Sequence, residues 1–203
     1  MTLDPANRLP TDTENGMLLV ISGPSGVGKT TITRAIERTI PDAVFSVSAT
    51  TRPRTAADVE GVDYTFLTDE EFLRRESAGE FLETAVYAGN RYGTLRAPVE
   101  AHLERGRLVI LEIDVQGAIL VKDRLPEALA IFVPPPSEGT LLKRLRDRKR
   151  EGEEVIRERF ELAKAEIERA RTCGAYDAFV TNDDLEGAIG EALEIVRARR
   201  RGA

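Results

Sequence analysis

The chain has 203 residues, enough to bury a sizeable core and few for two independent domains. Its 41% hydrophobic and 32% charged composition is that of a soluble globular protein, and its net charge of −6 argues against a duplex nucleic-acid binder. A lone Cys173 and a lone His102, with no Cys/His cluster, argue against a disulfide, a zinc site and chemistry that needs a histidine base.

The first 16 residues, MTLDPANRLPTDTENG, carry no basic stretch followed by an apolar one and read as a flexible arm, not a secretory signal. No run approaches the length of a membrane span, so a cytoplasmic protein is expected, with neither a membrane nor a nucleic acid as partner. Order is expected from Met17, where MLLVIS has the length and apolarity of a buried strand. Lys29 to Ile40 follows as a helix, with Ile32, Ile36 and Ile40 on one face and Pro41 as its stop.

Residues 46–98 break this rhythm and suggest a small α+β unit inserted into the core. His102 lies in a polar helical stretch and is expected at the surface. RLVILEID (107–114) and ALAIFVP (128–134) read as buried parallel strands, with VQGAILVKDRL (115–125) as the crossover helix between them. Helical patterns then run over 137–148, with Ser137 as N-cap, over 153–171, and over 183–200, with FVT (179–181) as a last strand. The expected class is α/β: a parallel sheet flanked by helices, carrying the insertion. The core is assigned to 17–45, 99–136 and 170–203, the insertion to 46–98, and a helical segment to 137–169.

Gly23-Pro24-Ser25-Gly26-Val27-Gly28-Lys29-Thr30, followed by Thr31, fits the P-loop pattern G-x-x-x-x-G-K-[ST] and sits between a predicted strand and a predicted helix. Glycines let successive backbone N–H groups face phosphate oxygens, at a helix start whose dipole favours anions. Lys29 brings a cation to the β- and γ-phosphates, and the Thr30 hydroxyl is a ligand for Mg²⁺. A purine nucleotide with Mg²⁺ is therefore expected on a P-loop NTPase core. Glu112 and Asp114, two apart on a predicted strand, share a face at its carboxyl end, where ligand crevices of such sheets lie. Glu112 is either an acid that orients Mg²⁺ through water or an acid at the edge of the core.

GPSGVGKTT, SVSATTRPR, GVDYTF, FLETAVYAGNRYGT and LEIDVQG, in that order over about 17–196, resemble the guanylate kinase family. The resemblance implies ATP as phosphoryl donor, GMP and dGMP as acceptors, the insertion as GMP-binding unit and 137–169 as a mobile lid. It places Arg52, Tyr64 and Tyr92 on the GMP phosphate, Glu83 on the N1–H and N2 amino edge of guanine, Ser48 and Thr94 beside the base, and Asp114 on the guanosine side. Those residue types suit these roles, since arginine holds two phosphate oxygens at once and a carboxylate offers two acceptors to two donors. The same resemblance brings Arg144, Arg148 and Arg159 over the phosphates, whereas Lys149, Arg150 and Arg157 read as a solvated face.

Three departures from the family pattern stand out. Thr55 occupies the expected position of a second arginine, with Arg54 one residue earlier, the usual Gly-Glu pair is Ala57-Asp58, and the lid's usual Gly-Thr-Glu is Lys149-Arg150-Glu151. Arg54 is expected to reach the GMP phosphate by flexing of its loop. The rival readings are a non-catalytic guanylate-kinase-like module binding phosphopeptides, and a P-loop kinase for another small phosphorylated acceptor.

Overall fold

The computed structural model describes residues 16–87, 89–147 and 152–202. Strand β1 (Met17–Ser22) is the apolar run after the arm, with Leu19, Val20 and Ile21 fully buried. Helix α1 (Lys29–Thr39) follows the glycine loop and buries Ile32 and Ile36. It stops because Pro41 pushes Ile40 into extended backbone (φ −103°, ψ 113°). Strand β2 (Ala43–Phe45) is a three-residue edge strand that the hydrophobic pattern is too short to announce.

Strands β3 (Ala49–Thr50) and β4 (Thr65–Phe66), helix α2 (Asp69–Ser77), and strands β5 (Phe81–Tyr87) and β6 (Asn90–Leu95) build a separate small sheet. Helix α2 starts at Thr68, whose hydroxyl accepts from Glu71 N at 3.1 Å, and three acids in its first turn complement the helix dipole. Then come helix α3 (Arg96–Glu104), strand β7 (Leu108–Glu112), helix α4 (Val115–Arg124), strand β8 (Leu129–Phe132), helix α5 (Glu138–Asp147), helix α6 (Glu153–Thr172), strand β9 (Ala178–Phe179) and helix α7 (Leu185–Arg201).

The main sheet has the order β2-β7-β1-β8-β9, and every neighbouring pair is parallel. A parallel sheet must be covered on both faces. Alternation along β1 does this: Leu19 and Ile21 pack with Ile32 and Ile36 of α1 and Val196 of α7. Leu18 and Val20 pack with Val99 of α3 and Val121 of α4 on the other face. The second sheet, β4-β3-β6-β5, has its own small core of Ala49, Phe72 and Phe81, in which the two phenylalanine rings stack 4.5 Å apart. Arg124 of α4 donates from Nη1 to the carbonyls of Phe81 and Leu82, and the Leu82 side chain enters the main core, so β5 is stapled to α4.

Two expectations change. His102 is half-buried, beside Phe45 and Pro98 in a small cavity between α3 and the sheet edge, and not a surface residue. Asp114 lies beyond the strand, which ends at Glu112. Its carboxylate caps α4 by accepting from Gly117 N at 2.7 Å, because a short acid at that position satisfies an open helix N–H.

Truncating Phe72 leaves a cavity in a core with few other large side chains. Phe72→Ala should lower the free energy of unfolding by about 3–5 kcal/mol in a urea titration. Val86→Ala, 66% exposed on the same sheet, should change it by less than about 0.5 kcal/mol.

Candidate active site

A cleft of about 540 Å³ opens at the carboxyl ends of β1 and β7 and is bounded by the second sheet and by α6. One end is the loop between β1 and α1. Gly28 has φ +95° and caps α1 without a side-chain hydrogen bond, so the first N–H groups of the helix stay open to an anion. A Cβ on Gly28 would lie 2.6 Å from Asn182 Nδ2. That amide, 5% exposed, donates to the Val27 carbonyl at 2.7 Å and holds the loop from behind. The Lys29 ammonium rests on the Gly23 and Pro24 carbonyls at 2.7 and 3.1 Å, inside the curve of the loop.

Thr30 and Thr33 both donate to Glu112, at 2.7 and 3.2 Å. Of the two readings of Glu112, this contact with the Thr30 hydroxyl favours the acid beside the metal position. A hydroxyl and a carboxylate are hard oxygen donors of the kind Mg²⁺ takes. Among the described residues no group of three or more His, Cys, Asp or Glu gathers to hold a metal. The donor set therefore fits an ion held largely by substrate phosphates and water.

The other end of the cleft belongs to the second sheet. Ser48, Tyr64, Glu83 and Tyr92 line it. The Tyr64 and Tyr92 rings meet edge to face at 5.9 Å, and the Arg52 guanidinium lies 5.2 Å from the Tyr64 ring centroid. Arg52 is engaged by Asp58 through both terminal nitrogens, at 2.9 and 3.1 Å. Asp58 also accepts from the Thr55 N–H and hydroxyl, both at 2.7 Å, and these contacts hold its carboxyl well below the usual range. Arg54 is exposed, donates from Nε to the Asp58 carbonyl at 3.0 Å and does not line the cleft.

Glu83 is 4% exposed, and burial pushes its carboxyl up to about 7 against the opposing hydrogen bond from Thr94. The Thr94 hydroxyl donates to Glu83 at 2.7 Å from behind, so its proton serves the carboxylate. Gly117 is close by: a Cβ there would sit 2.7 Å from Glu83 Oε2.

The helical segment 137–169 contributes Arg159, which lines the cleft and whose Nη2 donates to the Ser25 hydroxyl. Arg144 on α5 is half-buried outside the cleft lining, with Nη1 buried and without a hydrogen-bond partner among the described residues. Arg148, Lys149 and Arg150 lie outside the described residues, as does the arm up to residue 15.

The guanylate kinase family model matches residues 15–199. The chain is 48% identical over 194 residues to a guanylate kinase of Anaeromyxobacter dehalogenans, covering 95% of this chain and 83% of that one. It is 44% identical over 185 residues to a guanylate kinase of Thermotoga maritima, covering 91% and 88%. A crystal structure of guanylate kinase from Anaplasma phagocytophilum matches with a TM-score of 0.71 at 34% identity, covering 93% and 88%. The chain belongs to the guanylate kinase family. Membership makes it a nucleoside monophosphate kinase whose reaction moves the γ-phosphoryl of ATP onto GMP.

Several contacts escape sequence reasoning. Nothing in the residues around Asn182 tells that its side chain reaches Val27. Arg34 and Glu166 line the cleft from α1 and α6 but sit in charge-rich helices, where a solvated face is the ordinary reading. The Asp58 contact with Arg52 follows from a loop conformation that the residue order alone does not encode.

Replacing Gly28 forces a side chain onto a left-handed backbone and into the Asn182 amide. Gly28→Ala should weaken ATP binding by about 5- to 150-fold in a calorimetric titration, since strain of this kind costs roughly 1–3 kcal/mol. GMP binding should change less than twofold.

Proposed function

We propose that the two ends of the cleft hold the two substrates, ATP on residues 23–31 and GMP on the second sheet, with the reacting phosphates meeting between them. The observation that carries this reading is that one cavity joins Lys29 and the open N-terminus of α1 to Glu83, Ser48, Tyr64 and Tyr92. In this reading residues 46–98 are the GMP-binding unit and 137–169 the lid, and their closure excludes water that would otherwise hydrolyse ATP.

Glu83 reads guanine. Its two carboxylate oxygens match the N1–H and N2 amino donors, and the Thr94 hydroxyl fixes its orientation. Ser48 faces the base beside it and Asp114 the guanosine. Adenine reverses the pattern at that edge and would leave a buried carboxylate unpaired. Arg52, Tyr64 and Tyr92 take the GMP phosphate, joined by Arg54 on closure. In this reading dGMP is a second acceptor. Such substrates fit a reaction in the cytoplasm.

An oxygen of the GMP phosphate attacks the γ-phosphorus in line. The new P–O bond forms as the bond to the β-phosphate oxygen breaks, and ADP leaves. The attacking group is already anionic, so no general base is required. Lys29, Arg144, Arg148 and Arg159 stabilise charge spread over the transferring oxygens. Mg²⁺, which Thr30 would hold with Glu112 nearby, neutralises phosphate charge when bound.

The direct test is ADP formation from Mg·ATP with GMP, dGMP, AMP, CMP and UMP offered separately. Turnover confined to the guanine nucleotides is expected, and equal turnover with AMP would overturn the base assignment.

Glu83 also predicts a pH dependence. The folded chain keeps its proton up to about 7, whereas the unfolded chain loses it near the ordinary 4.5. Native protein therefore binds more protons between these values, so this group makes stability fall as pH rises through that window and then level off. Guanine requires the ionised carboxylate, so GMP binding releases the proton and GMP affinity should rise towards about pH 8. Glu83→Gln should weaken GMP by about 10- to 100-fold, from roughly 1–3 kcal/mol of lost pairing, should remove the pH trend in GMP affinity, and should reduce the stability trend to the share left by Glu166. Chemical denaturation and GMP titration across pH check the two.

A further inference from the structure

Glu166 is a titratable group in the cleft that the mechanism above does not use. It lies on α6, seven residues beyond Arg159, and Arg159, Leu162, Ala163 and Glu166 form one helical stripe that lines the nucleotide side of the cleft. Its carboxyl is half-buried and makes no hydrogen bond or ion pair with any described residue. Lys29 from α1, Asp114 at the head of α4 and Tyr176 just beyond its own helix interact with it electrostatically, and Arg34, Glu112 and Arg159 share the lining of the cleft with it. The Lys29 ammonium favours its charge but is held on the loop carbonyls of Gly23 and Pro24. Asp114 opposes its charge, and so does burial, which is the larger effect and pushes the carboxyl up to about 7.

Nucleotide phosphates, which keep a net negative charge with one Mg²⁺ bound, add to the anionic charge of this wall and draw Lys29 to themselves, which weakens a favourable partner. A carboxylate without hydrogen bonds, beside another carboxylate and a polyphosphate, is stabilised by taking a proton. We propose that Glu166 is a positioning residue that takes up a proton from solvent when ATP binds and, as the neutral acid, stands as a hydrogen-bond donor towards the phosphates. The new O–H bond is on the Glu166 carboxyl, and no other bond changes. ATP binding would thereby take up a proton at one end of the cleft, while GMP binding releases one from Glu83 at the other. This inference rests on the ATP-side reading of the cleft.

The test is calorimetric titration of the enzyme with the β,γ-imido analogue of ATP at saturating Mg²⁺, in buffers of different ionisation enthalpy. The wild type should take up about half a proton near neutral pH, and more at about pH 8. Its affinity should fall with rising pH towards a limit of about tenfold per unit. Glu166→Gln, isosteric and permanently neutral, should show no proton uptake from this site, a flatter profile, and tighter binding than wild type at about pH 8. Glu166→Asp should restore the pH dependence. Parallel profiles and equal uptake in wild type and Glu166→Gln, with binding intact, would overturn the proton and leave the kinase reading standing. Failure of the wild type to bind the analogue at all would overturn both.

Discussion

The junction between β7 and α4 is the constraint on which both ends of the cleft depend. Glu112, the last residue of the strand, accepts from Thr30 and Thr33 and so fixes the start of α1 against the sheet. Asp114, two residues on, caps α4 through Gly117 N. Gly117 in turn has no Cβ, and the space a Cβ would fill is occupied by Glu83. Six residues therefore set the phosphate loop, the helix and the buried carboxylate of the second sheet in one frame. Arg124 at the far end of the same helix ties down the β5 backbone. A kinase must bring two phosphates in line to within fractions of an ångström, and an element shared by both ends of the cleft fixes where they meet.

An acidic protein that gathers two phosphorylated substrates has an electrostatic problem. The cations are placed so that they are engaged locally without substrate. Lys29 rests on the carbonyls of its own loop, Arg52 is held by Asp58, and Arg159 reaches Ser25. These contacts keep the side chains near the phosphate positions and desolvate them only in part. The carboxylates show the opposite arrangement: Glu83 and Glu166 are both pushed upward by burial beside Asp114. Charge in the cleft is thus adjustable on the anionic side and fixed on the cationic side. Arginine suits the fixed role, because it stays protonated throughout the working range.

The main sheet and its phosphate loop were legible in the sequence, and the reasons are physical. Residues 17–22 form an apolar run that only a strand buried on both faces accommodates, and isoleucines at helical spacing follow the glycines. Strand β2 was not legible, because three residues carry no period. Helix α3 was legible only as a polar helical stretch around His102, and its start was obscured by Pro98, which is tolerated in the first turn, where no helical N–H bond is lost. Asp114 fitted a strand alternation just as well as a helix cap, and the cap prevailed because α4 needed its first N–H groups satisfied. At the site, Glu83 and Tyr92 are ordinary strand residues one at a time and Tyr64 an ordinary residue beside a strand, and it is the order of the motifs that marks them. The Asp58 and Asn182 contacts and the burial of Glu166 depend on chain geometry that no spacing rule encodes.

Glu83 is costly to bury, and the proposed pairing with guanine's two adjacent donors would account for a carboxylate at this place. The most direct measurement is a comparison of GMP with inosine monophosphate, which keeps the N1–H and the O6 but lacks the N2 amino group. With one carboxylate oxygen left unpaired in a buried site, kcat/KM for the inosine nucleotide should be about 10- to 100-fold lower. Equal kcat/KM for the two would mean that Glu83 does not face the N2 edge, and the assignment of the acceptor end would be wrong.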